Sequence, residues 1–223
     1  MLRTYEEKKV KIQDEILEIG NSVVEALELT LTGLKDEDLS KLKEIDLSVK
    51  KISNKSNEID NLIVTTLALY SPEAKDLREL VSYLKITNEL VRAGANTKAF
   101  AKIFRKAFSD DLNTKTILEY AIPLQKSATL ALQTSMSMLK ETNSKHIEEK
   151  YQRVIVEESK TDDLYSMIEK NILKLISKNL ELSKEYFDVL SALRKLAKTA
   201  DRAASIGNLL LFAEMGGDIE QSK

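Results

Sequence analysis

The sequence predicts an all-α protein built from two tandem antiparallel three-helix bundles, six long helices in all. Three observations support this fold class. Apolar residues recur at helical spacing along almost the whole chain. Only 6 Gly and 2 Pro occur in 223 residues, and the breaks in the pattern fall at even intervals. The two halves of the chain also repeat one apolar pattern.

The six helices are placed between the residues that interrupt the periodicity. Gly33 ends the first helix, and Gly216 and Gly217 cap the last. Ser71 and Pro72 fit an N-cap followed by proline in the first turn of the third helix. The helices are expected at about 4–32, 38–70, 72–107, 112–141, 145–178 and 183–215, and Pro123 either kinks the fourth helix or marks its start.

The repeat is visible in the core-facing stripes of the helices. An offset of 109 residues carries the stripe of the second helix onto the fifth, so that Ile59 matches Ile168. An offset of 106 carries the third helix onto the sixth, so that Leu84 matches Leu190. The expected domains are therefore 1–108, the first bundle, and 112–217, the second bundle, followed by a tail at 218–223.

Composition excludes several classes of function. The chain has no cysteine, so it has no disulfide, thiolate metal site or cysteine nucleophile. A formal charge of −2 gives no reason to expect non-specific nucleic-acid binding. The charged N-terminal segment does not resemble a secretory signal, and no apolar run reaches the length of a membrane span. A cytoplasmic protein without direct membrane insertion is expected.

Carboxylates distinguish the second half from the first. Under the two offsets, Glu158, Asp162 and Asp201 take the positions of apolar or small residues. The first-half equivalents are Val49, Ser53 and Ala95, in that order. Glu158 even lies on the core stripe of its helix. A buried carboxylate is costly unless it is paired, hydrogen-bonded or bound to a cation.

Hairpin geometry predicts that these three acids meet. Residues equidistant from the turn of an antiparallel hairpin lie side by side, and Glu158 and Asp162 share one helix face. Their segment and that of Asp201 are equidistant from a point near 179–180, the predicted turn. Such a cluster suits Mg, Mn, Fe or Zn. The alternative is a surface acid, Asp201, that pairs with Lys198 or Arg202.

Three segments resemble motifs of the PhoU family of phosphate-signalling regulators. The segment from Glu158 to Tyr165 is similar to the family's D-x-x-V-D-x-x-Y, and residues 196–208 resemble its L-E-R-I-G-D-x-x-x-N-I. Residues 71–78, SPEAKDLR, resemble the family's Q-P-x-A-x-D-L-R turn. The resemblance covers nearly the whole chain, including the order of all six helices.

The resemblance implies an adaptor rather than an enzyme. Proteins of the family are associated with the phosphate ABC transporter and with the phosphate-responsive sensor kinase. They damp uptake and the starvation response when phosphate is plentiful. The family's bundles bind metal through E-x-x-x-D and D-x-x-x-D motifs. Here the first-half motif has no carboxylate, and Ala197 stands where the family usually has Glu. One site formed by Glu158, Asp162 and Asp201, or none, is expected.

Other interpretations remain open or are disfavoured. A ferritin-type oxidase needs Glu-x-x-His on facing helices, whereas His146, the only histidine, has Glu149 in the reverse order. An accessory of a secondary phosphate or anion transporter, a metal-free structural adaptor and a homodimer remain open. A cluster of basic residues in the first half fits a solvated helix face: Lys51, Lys55, Lys102, Arg105 and Lys106.

Overall fold

The computed structural model describes residues 2–45 and 51–217, with side chains from residue 4 onward. The described residues form six long helices and two short 3-10 segments, Leu39–Lys43 and Leu180–Leu182, and contain no strand. The helices are α1 (Leu2–Lys35), α2 (Ile52–Tyr70), α3 (Ala74–Ala107), α4 (Thr114–Met136), α5 (Ser144–Lys178) and α6 (Ser183–Met215). The all-α prediction is confirmed. The position of Val49 and the predicted tail at 218–223 lie outside the described residues.

The connection between α1 and α2 differs from the sequence prediction. A second helix starting near residue 38 is wrong, because the 3-10 segment Leu39–Lys43 occupies this region and α2 begins at Ile52. The side chain of Asp38 caps the 3-10 segment by accepting a hydrogen bond from the Ser40 backbone N–H. Asp at a cap favours the start of a helical turn but does not decide between 3-10 and α geometry.

The turn between α2 and α3 also departs from the prediction. Ser71 is the C-cap of α2 and not the N-cap of α3. Its φ of 46° places it in the left-handed region, and its N–H donates to the carbonyl of Leu67. Glu73 is the N-cap of α3, in an extended conformation. A single residue in the left-handed region is enough to end a helix. Pro72 therefore lies in the linker between α2 and α3.

Helix α4 begins with a side-chain cap and contains its proline. The Asn113 side chain accepts a hydrogen bond from the Thr116 backbone N–H at 3.0 Å. Pro123 lies inside α4, so it does not mark the start of this helix. The helix ends at Met136, about one turn before the predicted end near 141, and a short turn leads to α5.

The two halves pack through their third helices. Among the described helices, α3 and α6 make the most extensive contact, and α1 also packs against α4. Two ion pairs show that α3 and α6 run antiparallel. Arg202 Nη1 lies 3.1 Å from Glu89 Oε2, and Lys75 Nζ lies 2.5 Å from Glu214 Oε2. One hydrophobic cluster contains buried residues from all six helices. Burial of apolar area in this shared core stabilises the two halves as one body.

Helix α1 approaches α4 closely. A Cβ atom added to Gly20 would lie 2.4 Å from the terminal methyl carbon of Met136, so the Met136 side chain fills the space that the missing side chain of residue 20 leaves. Further along the contact, the fully buried Gln125 donates from Nε2 to the backbone carbonyl of Leu27 at 2.7 Å and to the hydroxyl of Thr30. No helix in the described part of the chain is both long and apolar enough to cross a membrane.

Replacing Gln125 with alanine is expected to destabilise the fold. The change removes a buried hydrogen bond between the halves and leaves a cavity, which together cost about 2–3 kcal/mol. Chemical denaturation followed by circular dichroism measures this cost. The matched control is Gln133→Ala two turns later, where a half-buried side chain donates to Glu28 at 2.6 Å and the expected loss is about 0.5 kcal/mol. Equal losses in the two variants would contradict the assigned role of Gln125.

The ion pair between Lys75 and Glu214 is expected to make stability depend on pH. The hydrogen bond from Lys75 holds the pKa of the Glu214 carboxyl below its ordinary value of 4.5, and the Ser144 hydroxyl contributes. Because the folded pKa is lowered, the stabilisation is present above the unfolded pKa and is lost as pH falls through the folded pKa. Glu214→Gln should therefore cost about 0.5–1 kcal/mol at neutral pH.

The difference between wild type and Glu214→Gln should shrink as pH falls below 4.5. Thermal melts across this range measure it. Glu149→Gln, a change at an exposed glutamate of α5, is the control and should shift the melting temperature little at any pH. A constant deficit of Glu214→Gln down to the acid limit would contradict an electrostatic origin.

Candidate functional site

A hollow of about 680 Å³ lies between α5 and α6 in the second half of the chain. Helix α5 presents five lining residues and α6 presents five. They are Tyr151, Gln152, Ile155, Glu158 and Asp162 from α5, and Arg194, Asp201, Ala204, Ser205 and Asn208 from α6. The structure thus brings all three acids of the sequence prediction to one hollow, as the hairpin geometry predicts.

The three carboxylates differ in their exposure. Glu158 is only 2% exposed and continues the buried stripe of α5, whereas Asp201 is half-buried and Asp162 is exposed. The Ser159 hydroxyl lies 3.5 Å from Glu158 Oε2 as a donor. Glu158 and Asp201 each take part in further polar interactions. A buried carboxylate needs such partners, because removing a charged carboxylate from water costs on the order of several kcal/mol.

Arg194 places a positive charge at the edge of the hollow. Its guanidinium carbon lies 5.0 Å from the centre of the Tyr165 ring, a cation–π contact. Burial raises the pKa of the Tyr165 hydroxyl above its ordinary value, and the negative charge of Glu169 adds to the effect. Arg194 is not among the residues that the acidic motif predicts for this site. It lies seven residues, or two helical turns, before Asp201. This spacing indicates that the two side chains share one face of α6.

Arg202 forms its ion pair away from the hollow. The sequence left open that Arg202 pairs with Asp201, its neighbour in the chain. In the structure, Arg202 Nη1 lies 3.1 Å from Glu89 Oε2 on α3. Arg202 is half-buried, with 27% of its side chain exposed, and the Glu89 side chain is 16% exposed. Arg202 therefore joins the two halves of the molecule.

The first half has no matching set of acids among its described residues. Ser53 and Ala95, the equivalents of Asp162 and Asp201, are exposed on α2 and α3. His146 lies outside the hollow with 56% of its side chain exposed, and its Nδ1 is 3.8 Å from Glu141. This is the surface position that the sequence analysis expects for the only histidine.

The donor set of the hollow is incomplete as a metal site. Within residues 2–45 and 51–217, no group of three or more His, Cys, Asp or Glu side chains is arranged to hold a metal ion. The hollow offers the oxygen donors that hard cations prefer, from Glu158, Asp162 and Asp201. The residues do not form a ready-made cluster of ligands, and the metal site stays a prediction.

The comparison with known families decides the identity of the fold. The model of the PhoU domain matches the chain twice, at residues 16–104 and 124–210. The chain belongs to the PhoU family. One copy falls in each half of the structure.

Related proteins and structures agree with this assignment. A phosphate-specific transport system accessory protein PhoU homolog of Borreliella burgdorferi is 25% identical over 210 residues, which cover 92% of each chain. A homolog with the same name from Xylella fastidiosa is 23% identical over 212 residues, covering 95% of this chain and 87% of the relative.

Two solved structures share the fold. PhoU from Pseudomonas aeruginosa has a TM-score of 0.84 at 17% identity, covering 96% of this chain and all of that one. The phosphate transport system regulatory protein PhoU from Streptococcus pneumoniae has a TM-score of 0.79 at 19% identity, covering 96% and 98%. At this level of identity, the likeness shows the fold alone.

The hollow is expected to bind at most one metal ion per chain, and weakly. Protein purified without chelator, then incubated with Fe, Mn, Zn or Mg and desalted, is measured by elemental mass spectrometry. Any bound metal should be lost in Glu158→Ala and Asp201→Ala and retained in Glu149→Ala, an exposed control on the same helix. Two or more ions per chain, or metal that survives both hollow variants, would contradict this expectation.

Proposed function

We propose that the chain is a regulatory adaptor of phosphate transport that acts in the cytosol. It negatively modulates the phosphate ABC transporter and the phosphate-responsive sensor kinase. The observation that carries the proposal is the double match to the PhoU domain across the chain. Relatives named as accessory proteins of the phosphate-specific transport system align over more than nine-tenths of it.

The architecture supports binding rather than catalysis. Four of the six described helices have 33 to 35 residues, about 50 Å each, and present long faces. Helix faces recognise partners through side chains at spacings of three and four residues. The shared core of the two halves keeps these faces in fixed relative positions. A rigid body with several long faces suits a protein that binds a transporter and a kinase.

Direct binding tests the proposal. The chain is immobilised and probed with the purified ATPase subunit of the phosphate ABC transporter, and with the cytosolic part of the sensor kinase, from the same organism. We expect specific binding to at least one of them, of micromolar affinity or tighter. The ATPase subunit of an ABC importer for another solute, from the same organism, is the negative control.

A cellular measurement tests the sign of the effect. Deletion of the gene should raise phosphate uptake in phosphate-replete medium, because the proposed role is to damp uptake, and expression of the wild-type chain should restore it. Absence of binding to either protein, together with unchanged uptake in the deletion strain, would refute the proposed function. Binding to a secondary transporter instead would refute the assignment to the ABC transporter.

A further inference from the structure

Helix α3 presents a solvent-facing stripe that carries basic side chains and no carboxylate. Its members recur at alternating spacings of three and four, the repeat of one helix face. They are Lys85, Asn88, Arg92, Ala95, Ala99, Lys102 and Lys106, all exposed except the half-buried Ala99. Together with Lys198 of α6, the four basic members form a surface that we call the basic ridge: Lys85, Arg92, Lys102, Lys106 and Lys198.

The packing of α3 against α6 places Lys198 on this ridge. The ion pairs Arg202–Glu89 and Lys75–Glu214 fix the antiparallel register of the two helices. Lys198 lies one turn before Arg202 on α6, and Arg92 lies almost one turn after Glu89 on α3. Because the helices are antiparallel, Lys198 and Arg92 are therefore level with each other. From Lys85 to Lys106 the ridge spans about 32 Å, at 1.5 Å per residue.

Among the described residues, the lysines of the ridge form no ion pair, and the exposed Asp188 of α6 lies level with Lys102 in the same antiparallel register. These lysines are Lys85, Lys102, Lys106 and Lys198. Arg92 has only a 3.7 Å contact with Glu89.

Nearby acids on the packed helices are mostly engaged elsewhere. Glu89 is held by Arg202, and Asp60 of α2 accepts a hydrogen bond from the hydroxyl of Thr87 at 2.6 Å. Asp188 of α6 is exposed, towards the Lys102 end. Asp201 lines the hollow. The ridge thus groups five basic side chains on a chain whose net charge is −2.

The side chains on the ridge favour one kind of occupant. No large apolar side chain of α3 is exposed between Lys85 and Lys106. A bilayer surface is usually held by basic residues together with inserted apolar ones, and single-stranded nucleic acid by basic residues with stacking aromatics. Instead, the centre of the stripe holds Ala95 and Ala99, whose small side chains allow another helix to approach to within about 8–10 Å.

We infer that the basic ridge is a docking surface for an acidic helix of a partner protein. The helix would lie along α3 over the two alanines, with its carboxylates between Arg92 and Lys198 at one end and beside Lys102 and Lys106 at the other. It needs about 20 residues to span the ridge. The inference rests on the proposed adaptor function and adds the surface and the chemistry of the partner.

A charge-reversal experiment tests the ridge with a defined probe. The probe is a fluorescein-labelled, hydrocarbon-stapled helical peptide of about 20 residues, rich in Glu and Ala. The ridge variant is Arg92→Glu/Lys102→Glu/Lys106→Glu. The control variant is Arg153→Glu/Lys160→Glu/Lys170→Glu, on exposed positions of α5, with the same change in net charge. Anisotropy is measured in about 0.15 M salt, where charges more than about 8 Å apart are largely screened.

We expect the ridge variant to lose at least about tenfold in affinity and the control variant to stay within about twofold. Equal losses in both variants would overturn the inference, because binding would then follow net charge alone. Binding of wild type to phosphatidylglycerol vesicles or to RNA, but not to the peptide, would overturn it in favour of another partner. Circular dichroism checks that each variant is folded. If the ridge variant is unfolded, the milder variant Lys102→Ala/Lys106→Ala takes its place.

The same variants separate the ridge from the proposed function. If wild type binds the transporter ATPase or the kinase, the ridge variant should bind it at least about tenfold more weakly and the control variant as wild type does. Equal binding by all three chains would overturn the ridge and leave the adaptor function standing. Failure of wild type to bind either protein would count against the adaptor function, whatever the peptide result.

Discussion

The packing of α3 against α6 joins the two halves of the molecule and sets the position of the basic ridge relative to the hollow. These helices are the third of each half, and they form the most extensive contact between described helices. Both bury many small residues, which allow two long helices to pack closely along much of their length. The buried small residues are Ala93, Gly94, Thr97 and Ala101 in α3, and Ala197, Ala200 and Ala203 in α6. One face of this pair lies in the core, and the other supplies one wall of the hollow and the basic ridge.

Two copies of one structural unit have diverged in charge on this shared frame. In the second half, Asp201 and Asn208 of α6 line the acidic hollow; in the first half, the matching positions of α3 hold Ala95 and Lys102. The backbone at these positions is helical in both halves, so the exchange alters charge and side-chain size without altering the fold. Divergence of this kind is inexpensive on exposed faces, where a substitution usually changes stability by about 0.5 kcal/mol or less. Glu158 differs, because a buried carboxylate is retained only with polar partners.

The hollow could be predicted from the sequence because its two walls are consecutive helices of the chain. The meeting of Glu158 with Asp201 requires only one turn and two regular helices, and the turn near 179–180 is clear in the sequence. The sequence does not predict the 3-10 segment before α2, because residues 39–43 suit either a 3-10 or an α-helical turn. The pairing of Glu89 with Arg202 could not be predicted from hairpin geometry, since these residues are 113 positions apart on helices joined by no single turn.

The hollow and the ridge are connected by two consecutive residues of α6. Asp201 lines the hollow, while Arg202 binds Glu89, which also contacts Arg92 on the ridge at 3.7 Å. Because Glu89 is shared between two arginines, a charge brought close to Arg92 changes the electrostatic environment of Arg202 and of the residue beside it. Thermodynamic linkage makes a coupling of this kind reciprocal, so the proposed cation in the hollow and the proposed partner on the ridge would change each other's affinity by one factor. The connection is covalent from Asp201 to Arg202 and electrostatic from Arg202 through Glu89 to Arg92, so it joins the acidic face of one repeat to the basic face of the other.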